Sequence, residues 1–246
     1  IPVPQDISPY DALFLPNTET AVTLLMDAHL YPGEKVAVFG QGLVGTLVAA
    51  AIKSTNPLVT VIGVDIQRNR LEQSKSFGHL DQTIRLEPGN STPKTVQRAI
   101  YSSSLANNAN NANQVPSTAA NRLADVSIEI SGSGNALEYA VEATADEGTV
   151  IIGSWYGTKA VTLYSLGARF HRSHMKLVAS QVSELPSHLS KRWTKSRRFE
   201  VVWELVRSLQ PKSLISDYAS VNDAAAMYEK IARGESFQTV FKFSDP

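Results

Sequence analysis

Three glycines stand at the spacing G-x-G-x-x-G in the stretch VAVFGQGLVGTLVAA, at Gly40, Gly42 and Gly45. In a turn of this kind the first glycine permits a tight bend, the second lets the backbone approach a phosphate, and the third lets the following helix pack closely. The free N–H groups and the dipole at the start of that helix attract negative charge. These residues therefore predict a site for a pyrophosphate group.

One acidic residue stands where such a site needs a partner for ribose. Asp65 ends the apolar stretch VTVIGVD and follows Gly45 by 20 positions, and a carboxylate there accepts hydrogen bonds from ribose hydroxyls. It also repels a 2′-phosphate, and a like-charge clash of about 2–3 kcal/mol favours NAD over NADP by roughly 30- to 150-fold. Arg68 and Arg70 lie close enough in the sequence to reduce that preference. The alternatives are flavin dinucleotide, S-adenosylmethionine, or a glycine turn that binds nothing.

Segments typical of strands and helices alternate around this site. Up to residue 182 we expect strands at 35–39, 59–64, 82–86, 124–130, 148–152 and 176–180, with helices at 43–53, 69–77 and 135–143. After it we expect helices at 199–209 and 221–233 and a strand at 238–243. Alternation of this kind is typical of an α/β fold, a parallel sheet covered by helices on both faces.

Residues 88–122 interrupt the alternation. They include the tract SSSLANNANNANQVPSTAAN, which is low in complexity and carries too few apolar side chains to form a core. We expect 88–122 to be a long, mobile surface insertion, either a tolerated loop expansion or a lid that binds a partner.

The composition excludes several classes of function. Formal net charge is zero, which gives no bulk attraction to nucleic acid or an anionic membrane, and no apolar run approaches the roughly 20 residues of a membrane helix. The chain has no cysteine, so we expect no disulfide, no thiolate metal site and a reducing, cytoplasmic location. His171 and His174 in FHRSH lack an evident third ligand, and the basic run Ser190–Arg198 is typical of a solvated face. We predict neither a metal site nor a catalytic residue within the chain.

Five longer stretches, taken together, resemble the medium-chain dehydrogenase/reductase family in its zinc-dependent alcohol dehydrogenase branch. They are PNTETAVTLLMDAHLYPGEKVAVFGQGLVG, VIGVDIQRNRLEQSKSFG, DVSIEISGSGNALEYAVEATADEGTVIIGSWYG, FHRSHMKLVASQVSEL and SVNDAAAMYEKIARGESFQTVFKF. The resemblance implies a Rossmann-type doubly wound parallel sheet in the order 3-2-1-4-5-6, plus the C-terminal remnant of a GroES-like catalytic domain. It divides the chain into a linker helix region of the catalytic domain (1–31), an NAD(P)-binding domain (32–182) and a return to the catalytic domain (183–246).

The resemblance also implies roles for particular positions. The pyrophosphate would lie against Gly40, Gly42, Leu43, Val44 and Gly45, and the adenosine ribose against Asp65 and Arg70. The adenosine side would be lined by Ile130, Ser131 and Gly132, and the nicotinamide carboxamide would meet Ile152, Gly153 and Ser154. Trp155 and Tyr156 would either extend that wall or simply pack the loop.

The zinc ligands of the family are missing from this chain. The resemblance places them, as Cys, His and Glu or Cys, in a GroES-like domain before the cofactor fold, and this chain has no cysteine. We therefore expect the NAD(P)-binding portion of a longer alcohol or polyol dehydrogenase, with NAD as cofactor, zinc only in the missing N-terminal domain, and a small alcohol or carbonyl substrate. The alternatives are a stand-alone, non-catalytic nucleotide-binding module and a zinc-independent quinone or enoyl reductase-like member. A homodimer paired near residues 150–165 is a further hypothesis.

Overall fold

The structure is a computed structural model that describes residues 1–108 and 123–243 of the 246-residue chain, with only the backbone described for 104–108. The α-helices of these residues are α1 (Pro9–Ala12), α2 (Leu15–Ala28), α3 (Leu43–Thr55), α4 (Arg68–Gly78), α5 (Pro93–Asn108), α6 (Gly134–Ala143), α7 (Arg169–Arg172), α8 (Lys195–Leu209) and α9 (Ala224–Ala232). The strands are β1 (Lys35–Phe39), β2 (Thr60–Asp65), β3 (Gln82–Arg85), β4 (Ala124–Glu129), β5 (Thr144–Ile152), β6 (Lys176–Ala179), β7 (Asp217–Ser220) and β8 (Thr239–Lys242). No helix in the described ranges is long and apolar enough to cross a membrane.

Strands β1 to β6 form one parallel sheet in the order β3-β2-β1-β4-β5-β6, which confirms the expected order. Strand β1 lies at the centre, paired with β2 on one side and β4 on the other. The order of the chain through the sheet reverses between β1 and β4, and ligands of open α/β sheets bind beyond the carboxyl ends of the strands at such a point. The fold therefore places the loops after β1, β2 and β4 side by side at this edge.

Helices cover both faces of this sheet. Helices α2 and α3 pack on one face, where Leu24 and Leu47 belong to the same buried cluster as Val36 of β1. Helices α5 and α6 pack on the other face through a second cluster that includes Ile100 and Leu137. Burial of an apolar side chain of this size stabilises by about 1.5–3 kcal/mol, so the two clusters fix the helices, and with them the helix starts, against the strands.

The prediction of a mobile insertion at 88–122 is wrong for residues 93–108, which form α5. Val96 and Ile100 stand one helical turn apart and are 1% and 0% exposed. The loop before α5 is held as well, because the Tyr139 hydroxyl donates to the Ser91 carbonyl at 2.9 Å. The remaining part of the low-complexity tract, residues 109–122, lies outside the described residues.

The residues after 182 pack on the N-terminal helices and form a second, smaller sheet. Helix α8 packs on α2 through a third apolar cluster, which includes Val22, Val202 and Trp203. Strands β7 and β8 pair in parallel as a separate two-stranded sheet. The division of the chain into segments 1–31, 32–182 and 183–246 stays a prediction.

Candidate functional site

The first and third glycines of the fingerprint are required by close backbone contacts. Gly40 follows β1 with a φ of +99°, and a Cβ there would lie 2.7 Å from the Cα of Ser131. A Cβ on Gly45 would lie only 1.9 Å from the Gly40 carbonyl oxygen. The start of α3 therefore rests directly on the turn after β1, which is the close packing that this spacing predicts.

The second glycine faces open space. Gly42 is the N-cap residue of α3, and among the described residues no side chain caps this helix start. A Cβ on Gly42 would have one neighbour within 4 Å among the described atoms, the Arg70 Nη1 at 4.0 Å. The first N–H groups of a helix have no partner within it, so those of Leu43 and Val44 are available to an anion, and the helix dipole favours such an anion.

Asp65 holds the loop structure of the site as well as carrying its charge. It ends β2 and is 8% exposed. Its Oδ2 accepts a hydrogen bond from the Gln41 N–H at 2.7 Å, and its Oδ1 accepts one from the Gln67 N–H at 2.8 Å. Each carboxylate oxygen keeps a second lone pair, so the carboxylate can accept further hydrogen bonds from a ligand while it orders the turns after β1 and β2.

Gln41, which the sequence analysis did not identify as a site residue, holds the glycine turn in place through its buried side chain. Its side chain is fully buried. The amide Nε2 donates to the Val38 carbonyl at 2.7 Å, and Oε1 accepts from the Ser74 hydroxyl at 2.6 Å. Room for this amide comes from Gly63 in β2, because a Cβ there would lie 3.1 Å from Gln41 Cδ. The turn is thereby tied to β1 and to α4.

A cavity of about 360 Å³ opens at the carboxyl ends of β1, β2 and β4. This volume lies within the usual range for small-molecule sites, about 300–1,000 Å³. The predicted site residues that line it are Gly40, Gly42, Asp65, Arg70, Ile130 and Ser131. The predicted residues outside its lining are Leu43, Val44, Gly45, Gly132, Ile152, Gly153 and Ser154. Leu86, Glu87 and Tyr139 also line the cavity, and no sequence pattern had pointed to them as site residues.

The loops after β4 and β5 contact each other beside this cavity. The Gly132 N–H donates to the Ser154 hydroxyl at 2.8 Å, and the Gly153 N–H donates to the Glu129 carbonyl at 2.9 Å. A Cβ on Gly153 would lie 2.8 Å from Ile130 Cδ1. The structure thus brings the two predicted segments, 130–132 and 152–154, together at the same edge of the sheet.

A buried carboxylate lies beneath these two loops. Glu129, the last residue of β4, is fully buried, and its Oε1 accepts from the N–H and the hydroxyl of Ser131 at 2.8 Å and 2.6 Å. Its Oε2 accepts from the Tyr156 hydroxyl in the loop after β5. Burial, together with this hydrogen bond to an acidic acceptor, raises the pKa of the Tyr156 hydroxyl above its ordinary value, so it stays protonated. Trp155 beside it is 92% exposed.

The histidines do not assemble a metal site. Among the described residues, no three His, Asp or Glu side chains are placed to hold an ion. His171 lies in α7 and His174 follows that helix. His29 and His188 stack with ring centroids 3.7 Å apart and with Nε2 and Nδ1 separated by 3.2 Å.

The basic run Ser190–Arg198 is partly structural. Arg198, at its end, is 1% exposed and forms an ion pair with Glu19 of α2. The same guanidinium donates to the Thr23 hydroxyl at 3.1 Å. The expectation of a solvated face is therefore wrong for Arg198, which ties α8 to α2, because its charge is satisfied by α2 rather than by water.

Comparison with curated proteins gives relatives that are named as sugar or polyol reductases and dehydrogenases. No protein-family model matches the chain. It is similar to D-xylulose reductase A of Aspergillus oryzae, with 25% identity over 241 residues that cover 97% of this chain and 58% of the relative. It is also similar to D-guloside 3-dehydrogenase of Escherichia coli, with 26% identity over 205 residues that cover 83% of this chain and 52% of the relative. The chain therefore spans less than two thirds of the length of these relatives.

Solved structures share the fold over nearly the whole chain. Alcohol dehydrogenase TADH from Thermus sp. ATN1 superposes with a TM-score of 0.74 at 21% identity, covering 99% of this chain and 61% of that one. A short chain alcohol dehydrogenase from Escherichia coli CFT073, complexed with the cofactor NADH, superposes with a TM-score of 0.71 at 15% identity, covering 99% of this chain and 62% of that one. At these identities the likeness shows the fold.

Proposed function

We propose that the chain is the NAD-binding portion of an alcohol or polyol dehydrogenase of the zinc-type branch of the medium-chain dehydrogenase/reductase family, a proposal that its similarity to named sugar and polyol dehydrogenases supports. The observation that carries the proposal is the uncapped start of α3 at Gly42, which faces a cavity that Asp65 also lines. The relatives named for xylulose reduction and guloside oxidation support a small polyhydroxylated alcohol or carbonyl compound as substrate.

The residues present fit a dinucleotide in one orientation. The pyrophosphate would lie at the turn from Gly40 to Gly45, where the added Cβ of Gly42 meets nothing closer than 4.0 Å. The adenosine would fill the cavity, with its ribose on the second lone pairs of Asp65. The nicotinamide end would then extend past Ser131 toward the loop after β5, which follows the next strand of the sheet.

Asp65 supports NAD rather than NADP as the cofactor. Its two backbone hydrogen bonds fix the carboxylate in the wall of the cavity, and a carboxylate at the ribose repels a 2′-phosphate. Arg70 lines the same cavity and is only partly exposed, so its charge lies on the pyrophosphate side near Gly42 as well as near the ribose. We therefore propose a preference for NAD that is softened by Arg70.

In the proposed reaction a hydride moves between an alcohol carbon and the nicotinamide ring, and the cofactor supplies that redox chemistry. The contribution of this chain is binding and orientation. The start of α3 would hold the pyrophosphate charge, Asp65 would fix the ribose, and the loop 152–156 would orient the ring that carries the hydride.

The zinc of the proposed reaction would be held outside these 246 residues. The chain has no cysteine, and the described residues offer no convergent group of three His, Asp or Glu side chains. A zinc-type dehydrogenase needs a Lewis acid to polarise the alcohol or carbonyl oxygen. We propose that the zinc ligands come from a segment that corresponds to the part of the relatives that this chain does not cover.

The test is a calorimetric titration of the folded chain with NADH and, separately, with NADPH. We expect saturable binding of NADH and a Kd for NADPH that is roughly 30-fold higher, from a like-charge clash of about 2 kcal/mol. A chain that melts cooperatively but binds neither nucleotide up to about 1 mM, an affinity of about 4 kcal/mol, would refute the proposal. Tighter binding of NADPH than of NADH would refute the role given to Asp65.

A further inference from the structure

Glu129 connects the two halves of the proposed cofactor site. One carboxylate oxygen receives both hydrogen bonds of Ser131, whose backbone lies against the Gly40 turn. The other receives the hydroxyl of Tyr156, which lies just beyond the segment 152–154. A single side chain thus fixes the loop beside the pyrophosphate turn and the loop on the nicotinamide side.

The carboxylate depends on these donors for its stability. Glu129 is fully buried, and a buried charge is costly unless it is hydrogen-bonded or paired. In the part of the chain that the structure describes, its hydrogen bonds come from neutral donors, and no ion pair involves it. Loss of the Tyr156 hydroxyl would leave Oε2 with no partner, so the loop that carries Tyr156 is held by a strong, charge-assisted bond.

Tyr156 links Glu129 to the loop that follows β5. Its ring packs on the second apolar cluster together with Ile152, so the ring is anchored at both its apolar face and its hydroxyl. The neighbouring Trp155, by contrast, is exposed. Tyr156 therefore holds the end of the segment 152–156, in addition to the hydrogen bonds of Gly153 and Ser154, and the exposed indole contributes little.

We propose that Glu129 is a positioning residue for the cofactor, acting through Tyr156 to hold the loop 152–156 against the nicotinamide end. This inference rests on the proposed NAD-binding function. It assigns a role to a residue that is not part of the cavity lining, and it places the effect at the nicotinamide end of the dinucleotide.

The test compares NADH with ADP-ribose, which lacks the nicotinamide ring, by titration of the whole 246-residue chain. The variant Tyr156→Phe removes only the hydroxyl. The control Tyr164→Phe makes the same change at a site that is 82% exposed in the same stretch of chain. Glu129→Gln keeps the shape, and the Tyr156 hydroxyl can turn to accept from the new amide. Circular dichroism and a thermal melt establish that each variant is folded at the titration temperature.

We expect wild type to bind NADH more tightly than ADP-ribose. Tyr156→Phe should reduce the ratio of the ADP-ribose Kd to the NADH Kd about ten-fold, equal to about 1.4 kcal/mol. It should leave the ADP-ribose Kd within about two-fold of the wild-type value. Tyr164→Phe should change neither Kd. Glu129→Gln should retain most of the wild-type ratio of the ADP-ribose Kd to the NADH Kd.

Other results would overturn the inference. A wild-type chain that binds ADP-ribose and NADH equally would show that the nicotinamide end is not held. An equal loss for both ligands in Tyr156→Phe would show a structural role only. A chain that binds neither ligand would instead refute the proposed function, and this failure is distinguishable because it occurs already in wild type.

Discussion

Replacement of Gly42 by alanine separates ligand binding from folding. The backbone at Gly42 has φ −73° and ψ −169°, which an alanine adopts without strain. The added Cβ would meet no described atom closer than the Arg70 Nη1 at 4.0 Å. We therefore expect the free energy of unfolding of Gly42→Ala to stay within about 0.5 kcal/mol of wild type.

The same methyl group would occupy the proposed pyrophosphate site. It extends about 1.5 Å from the Cα into the space in front of the first N–H groups of α3. Loss of one or two hydrogen bonds to a charged phosphate, each worth about 1.5–3 kcal/mol, raises the NADH Kd by at least about ten-fold. Fluorescence titration with NADH measures this, with urea unfolding as the parallel assay of stability.

Two alanine variants bracket the result. Gly167→Ala, with no neighbour within 4 Å and an unstrained φ, should change neither stability nor affinity. Gly45→Ala would place a Cβ 1.9 Å from the Gly40 oxygen, and should destabilise the fold by about 2 kcal/mol or more. If Gly42→Ala is folded and binds NADH with the wild-type Kd, the pyrophosphate does not lie at this turn and the reasoning is wrong.

Three further predictions follow from single contacts. Asp65→Asn should lower the ratio of the NADPH Kd to the NADH Kd at least about five-fold in paired titrations, since the charge repulsion disappears; an unchanged ratio would contradict the assignment. Gly63→Ala should lower the free energy of unfolding in urea by about 1–3 kcal/mol, because its Cβ would lie 2.5 Å from Leu80 Cδ1; wild-type stability would show that the strand can shift. Desolvation and the adjacent His29 lower the pKa of the exposed His188 side chain, so its contribution to stability is present above about pH 6.5 and is lost as the pH falls. His188→Gln should therefore flatten the decline in urea stability between about pH 7 and about pH 5, and an unchanged slope would count against this origin.

The parts of the fold that follow from local pattern were predictable. The glycine spacing between β1 and α3, and the acidic residue at the end of β2, are signals contained within about 30 residues of sequence. The strand order was predicted from the resemblance to a known family, because alternating strands and helices by themselves leave more than one topology open. The location of the cavity beside Gly42 and Asp65 could therefore be predicted from the glycine spacing and the acidic residue.

The helix α5 was missed because composition outweighed periodicity. Val96 and Ile100 stand at the spacing of one helical turn, which is the signal of a buried face. The polar, low-complexity residues that follow lowered the apparent hydrophobicity of the whole segment. Leu86 and Glu87 were missed for a different reason, since Leu86 was assigned to the strand 82–86 and Glu87 to no element, and neither was considered as part of the site.

The polar anchors Gln41 and Glu129 could not be predicted from their own positions. Each is one polar residue beside an apolar strand, and such a residue usually marks a strand end. Their burial depends on distant partners, since Ser74 lies 33 residues from Gln41 and Tyr156 lies 27 residues from Glu129. Only the three-dimensional arrangement of the loops reveals these contacts.

The central claim is that the turn from Gly40 to Gly45 binds the pyrophosphate of NAD. A crystal structure of the chain grown with saturating ADP-ribose tests it most directly. The account predicts phosphate oxygens within hydrogen-bond distance, about 2.7–3.2 Å, of the Leu43 and Val44 N–H groups, with the ribose on Asp65. A nucleotide bound elsewhere on the molecule, or this turn left open at saturating ligand, would contradict it.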